Sequence, residues 1–186
     1  MSPEDKKLLS AYAAQYGGIV GLMWIVSFSF YIVGLTHPLV GNLSLIFGLL
    51  SIYCCVSLIK KFKRNIVSLN FWQSWRMSIL IYMYAALLMA LAQYIYFRYI
   101  DHGMLFNTYA TIMQTPEAVT MLQSMLPGED ANALISETID QLKTITPIDL
   151  TFKFLTNNLF LGLILSIPTA GFSAIGRNHL KNQTKQ

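Results

Sequence analysis

A chain of 186 residues has the size of one domain, yet 54% of it is apolar and only 12% is charged, about half the charged share of soluble domains. That composition excludes an ordinary soluble fold and points to a membrane as solvent. A formal net charge of +4 does not indicate nucleic acid, because the cations gather at the edges of apolar stretches and no aromatic-basic recognition module is present.

The charge is sorted by position. Seven of the nine acids lie between Ile100 and Leu150, while the cations cluster at both ends and in the run Lys60, Lys61, Lys63, Arg64. Because Lys and Arg accumulate on the cytoplasmic side of membrane helices, this sorting predicts four spans with both termini in the cytoplasm. The expected spans cover about residues 12–35, 42–60, 71–100 and 152–176 of a single integral membrane domain.

The first helix is expected to start at Ser2, Pro3 and Asp5, an N-cap, a first-turn proline and the acid of a capping box. Its charge-free stretch from Gly17 to Leu35 matches the roughly 20 residues that cross about 30 Å of hydrocarbon. A retained anchor is expected rather than a cleaved signal peptide, since acids precede the segment and no A-x-A-like site follows. Thr36, His37, Pro38 and Gly41 form an outer turn. Leu43 to Ile59 is the second span, closed by Lys60, Lys61, Lys63 and Arg64. Asn70 and Gln73 read as the cap and third residue of the next helix. Phe71, Trp72 and Trp75 occupy an inner aromatic belt, and Arg76 can snorkel to the headgroups. The third span runs to about Phe97, and the fourth, from about Phe154 to Ile175, ends in Arg177, Lys181 and Lys185.

Between the last two spans, Thr115, Pro116 and Glu117 start one helix that Pro127 and Gly128 stop. A second is expected where Leu134, Ile135, Ile139, Leu142 and Ile145 recur at helical spacing with acids between them. Together they predict an extracytoplasmic acidic helical hairpin. Leu134, Ile135, Ile139 and Leu142 form its candidate interaction face.

The span centres carry no ionisable residue, which argues against a charge-driven pump or secondary transporter. Ser27, Gln93, Asn157 and Asn158 fall at a similar depth at 1.5 Å per residue and could form an outer polar layer, either a small pocket or interhelical glue. Rows of small residues four apart, Ala13-Gly17-Gly21, Ser44-Gly48, Ala86-Ala90 and Gly162-Ser166-Ala170-Ala174, allow close helix approach within the bundle or between copies. Pro168 is expected to bend the fourth span. Adjacent Cys54 and Cys55 make neither a disulfide framework nor a metal spacing. His37, Asp101 and His102 lack a diagnostic ligand pattern, so no metal is expected. No catalytic or cofactor motif is visible, and no cofactor is expected.

The segment Ile66–Leu105 carries Phe71-Trp72-Gln73-Ser74-Trp75-Arg76 at the start of a span and Tyr94-Ile95-Tyr96-Phe97-Arg98-Tyr99-Ile100-Asp101 at its end. It resembles the small membrane proteins of domain-of-unknown-function family 4199, found mainly in Bacteroides-type bacteria. The resemblance implies an all-α four-span bundle, a variable helical insertion and a bacterial inner-membrane address, and it implies no catalytic residue. His102 stands where that family commonly has proline, which bears on the turn into the insertion.

The expectation is a non-enzymatic multi-pass protein that contacts the bilayer and binds another envelope protein or its own copies. The alternative is a small transporter or channel component using the polar layer. An enzyme acting on lipid is the weakest of the three readings.

Overall fold

The computed structural model describes residues 2–175, which form seven helices and no strand. These are α1 (Pro3–Gly34), α2 (Pro38–Asn65), α3 (Phe71–Tyr99), α4 (Met104–Met113), α5 (Pro116–Met125), α6 (Ala131–Thr144) and α7 (Pro147–Ala174). Four of them, α1, α2, α3 and α7, are long and apolar enough to cross a membrane. On the 30 Å scale of a hydrocarbon core, the shortest of these, at 28 residues, is about 42 Å long. Large apolar side chains remain exposed along them, most of all on α2, where Leu39 is 87% exposed. Such surface is costly in water and neutral in lipid, so this is the construction of a membrane protein.

Local sequence explains where the long helices start. Ser2 and Asp5 form the expected capping box, each side chain meeting the other's backbone N–H, at 3.1 and 2.9 Å. At α3 the Gln73 side-chain oxygen accepts from the Asn70 N–H at 2.9 Å. The fourth long helix begins earlier than the expected span, at Pro147. Pro147 does more than stop α6: Thr146 and Asp149 form a reciprocal cap around it, with Thr146 N–H donating to Asp149 and Asp149 N–H donating to Thr146 Oγ1. The helix then continues unbroken through Pro168. The closing cations Arg177, Lys181 and Lys185 lie outside the described residues.

The chain divides into two compact units, and the boundaries fall inside α3 and α7. The first holds the residues up to Ala92 and those from Phe154 onward. In it the row Ala13, Gly17 and Gly21 is buried, and α1 lies so close to α3 that a Cβ at Gly17 would sit 2.5 Å from Tyr84 Cβ. Ala86, Ser166 and Ala170 are buried as well. Three of the small-residue rows therefore serve packing inside the bundle, whereas Gly48 of α2 faces open space. Tyr12 of α1 meets the buried ring of Phe62 in α2 edge-on at 5.2 Å. The Lys63 ammonium donates to the Ser173 carbonyl at 2.9 Å, in the last turn of α7. The start of α1, the end of α2, the start of α3 and the end of α7 thus share one end of this unit, and the cations Lys6, Lys7, Lys60, Lys61, Lys63, Arg64 and Arg76 gather there.

The second unit is Gln93–Lys153. Its insertion contains three helices where two were expected. The additional one, α4, has no capping side chain at its own N-cap, Gly103. Its cap comes from further upstream: the buried Asp101 carboxylate accepts from Gly103 N–H at 3.1 Å and from Leu105 N–H at 3.0 Å. His102 in this turn has φ +46°, a left-handed conformation closed to proline, whose ring fixes φ near −65°. Thr115 and Asp130 cap α5 and α6. Gln123 ties the loop between them, donating to Glu129 O at 2.9 Å and accepting from Ala131 N–H at 3.3 Å.

Candidate functional site

A seam of buried polar side chains runs through the first unit. On α3, Ser74, Ser78 and Tyr82 recur every fourth residue, which places them on one helix face, and all three are buried. The Tyr82 hydroxyl and Thr169 Oγ1 of α7 share a hydrogen bond of 2.8 Å. The Tyr82 ring stacks on Trp24 of α1 at 5.9 Å. One side chain therefore links α3 to both α1 and α7. Close approach makes this geometry attainable: a Cβ at Gly162 of α7 would lie 2.8 Å from Tyr82 Cβ.

Two indoles flank this hub. Trp24 Nε1 donates to Ser51 Oγ of α2 at 3.0 Å, and Trp75 Nε1 donates to Ser166 Oγ of α7 at 2.9 Å. Both serines pass their own protons to carbonyls of the preceding turn, Gly48 and Leu163, at 2.6 Å. Each serine is thus satisfied as donor and acceptor, as burial in an apolar layer requires. Chemically the seam consists of hydroxyl and indole groups, and its bonds join helices.

The four residues of the expected polar layer have different surroundings. Ser27 Oγ donates to the Ser44 carbonyl at 2.8 Å and so ties α1 to α2. Asn157 is exposed. Asn158 is half-buried, and its Nδ2 lacks a partner. Gln93, in the second unit, is 1% exposed and its Oε1 also lacks a partner. No three His, Cys, Asp or Glu side chains among the described residues are placed to hold a metal.

The boundary residues also divide. Lys60, Lys61, Arg64, Trp72 and Arg76 are exposed, as anchors in headgroups would be. Trp75 instead turns inward to Ser166, and Lys63 caps α7, because a half-buried donor is better satisfied by an oxygen of a neighbouring helix than by a distant headgroup. In the insertion, Ile135 and Ile139 are buried and Leu134 and Leu142 half-buried, so the α6 stripe is largely taken up by packing. Apolar side chains are exposed on α4, among them Ile112, and most of all on α5 and its end, where Met121 is 59% and Met125 62% exposed with Leu126 beside them. They border a groove of about 220 Å³ lined by Met113, Ala118, Met121, Leu122, Met125 and Ile135.

The sequence from residue 15 to residue 173 matches the family described as "Protein of unknown function (DUF4199)". This chain belongs to the DUF4199 family. No curated protein and no solved structure matches it. The matched DUF4199 region contains the whole seam around Tyr82 and the whole insertion, whereas Lys6 and Leu9 precede it. The seam contains neither charges nor amides. Its legible signal is the spacing of Ser74, Ser78 and Tyr82, together with Ser166, Thr169 and Ser173 on α7, where hydroxyl residues repeat three or four apart.

Proposed function

We propose that this protein is a multi-pass component of the bacterial inner membrane, with both termini in the cytoplasm, that works by binding rather than by catalysis. Its insertion, outside the cytoplasm, recognises a basic amphipathic helix of another envelope protein. The observation that carries this reading is the exposed methionine face of α5. Methionine is flexible and polarisable, and exposed Met-rich grooves suit apolar helix faces. Charge complementarity supplies the rest of the partner's chemistry. The unit Gln93–Lys153 has seven acids against three Lys and Arg, a net −4 with His neutral.

The test places a photocrosslinking residue at position 121 or 125, and in a control at position 141, in native membranes. A partner captured from the first two sites and absent after Met121→Asp with Met125→Asp, in a variant that still folds, supports the reading. Equal capture from position 141, or capture of nothing but this chain, counts against it.

A second reading is favoured by the partnerless side-chain oxygen of Gln93, since a buried polar atom without a partner suits a polar ligand. On that reading the protein is a small transporter or channel component. Gln93→Leu would then abolish uptake at unchanged expression. A change in melting temperature alone would make this amide a packing group.

A further inference from the structure

At the end of the first unit where the cations gather, α1 and α3 enclose a pocket of about 280 Å³, lined by Lys6, Leu9, Trp72, Gln73 and Arg76. Leu9 is buried, while the Trp72 indole is 70% exposed. Lys6 and Arg76 bring two positive charges and no carboxylate lines the pocket. Neither cation makes an ion pair or side-chain hydrogen bond with another described residue. Gln73 is oriented by its cap: its oxygen is committed to the Asn70 N–H, which leaves the amide –NH2 as the group able to donate elsewhere. Arg76 lies in the second turn of α3, at the positive end of that helix. Donors and positive charge therefore converge above an apolar side chain and beside an indole of the kind that settles at membrane interfaces.

We propose that this pocket binds the phosphate of an anionic phospholipid headgroup. Arg76 offers a planar pair of N–H donors to phosphate oxygens, Lys6 a point charge, and Gln73 a neutral donor. Leu9 and Trp72 take the glycerol and upper acyl carbons, which a free phosphate lacks. The site would select anionic over zwitterionic lipid because its two cations repel a choline or ethanolamine headgroup and no carboxylate lines the pocket to offset them.

The full chain, purified in mild detergent, is titrated separately with phosphatidylglycerol, phosphatidylcholine and inorganic phosphate, and bound species are read by native mass spectrometry. The expected result is a defined phosphatidylglycerol adduct, weakened about tenfold or more in Lys6→Gln with Arg76→Gln and retained in Lys60→Gln with Lys61→Gln, whose cations lie outside the pocket. Affinity within twofold of the wild type in Lys6→Gln with Arg76→Gln would overturn the proposal, as would an equal loss in the Lys60 and Lys61 variant. Saturation by inorganic phosphate with no preference for the lipid would overturn the lipid assignment. If the double variant does not fold, Arg76→Gln alone, checked by an unchanged melting profile, is expected to weaken binding severalfold.

Discussion

Gly17→Ala tests the closest contact between α1 and α3. An added Cβ would lie 2.5 Å from Tyr84 Cβ and 2.9 Å from the Ile81 carbonyl oxygen, about 1 Å inside ordinary contact. Neither neighbour is the free end of a flexible side chain, so the helices themselves must separate. Overpacking of this kind costs about 2–3 kcal/mol, and for chains of this length each kcal/mol moves the melting temperature by about 2–4 °C. The expected loss is thus about 4–12 °C in detergent, measured by intrinsic fluorescence, because Trp24 and Trp75 lie in the same packed unit. The adjacent residue supplies the control. A Cβ at Gly18 meets nothing within 4 Å, so Gly18→Ala should leave stability unchanged or raise it slightly through helix propensity. Equal melting temperatures for the two variants would refute the close α1–α3 crossing.

Tyr82→Phe removes the bond to Thr169 and should lower stability by about 0.6–1.7 kcal/mol in the same assay; an unchanged melting temperature would show that the hub is held by its ring alone. Asp101→Ala strips the acceptors from Gly103 and Leu105, so faster hydrogen exchange is expected at the start of α4, with a cost of about 1–2 kcal/mol; unaltered protection there would remove Asp101 as the cap. His102→Pro should destabilise the same turn, whereas His102→Gly should be tolerated, a difference readable in the same exchange experiment. At the N-terminus, the Ser2 backbone N–H, and then its hydroxyl, hold the Asp5 carboxyl below its ordinary range. A depressed carboxylate contributes its capping above the unfolded-state value and loses it as pH falls through the folded one, so protection of the Ser2 amide, which donates to that carboxylate, should fade only as pH falls below the ordinary aspartate range; fading near neutrality would contradict this cap.

The four long helices are legible because each holds at least 15 apolar residues and all but α2 start at a capping pair close in sequence, such as Ser2 with Asp5 and Asn70 with Gln73. What stayed hidden depends on groups remote in the chain. The cap of α4 comes from a carboxylate upstream of a left-handed turn, so no residue at its own N-cap announces it. The inward turn of Trp75 depends on Ser166, 91 residues away, and its sequence neighbours suggest only a membrane-interface aromatic. Helical spacing groups Leu134, Ile135, Ile139 and Leu142 on one stripe of α6. Periodicity does not reveal which apolar stripe is consumed by packing, and the most exposed methionines of the insertion, Met121 and Met125, are on α5.

The bonds that α3 makes to α7 also fix an order of events during synthesis. The Tyr82 hydroxyl and the Trp75 indole N–H find their partners at Thr169 and Ser166, which the ribosome adds 87 and 91 residues later. At about 5–20 residues per second, roughly 4–18 seconds pass between each of these groups and its final partner. Over that interval the nascent chain holds an apolar helix with a row of open hydrogen-bonding groups, the state in which a membrane insertase would have reason to retain it. Arrival of the last helix would be the step that releases the finished protein into lipid.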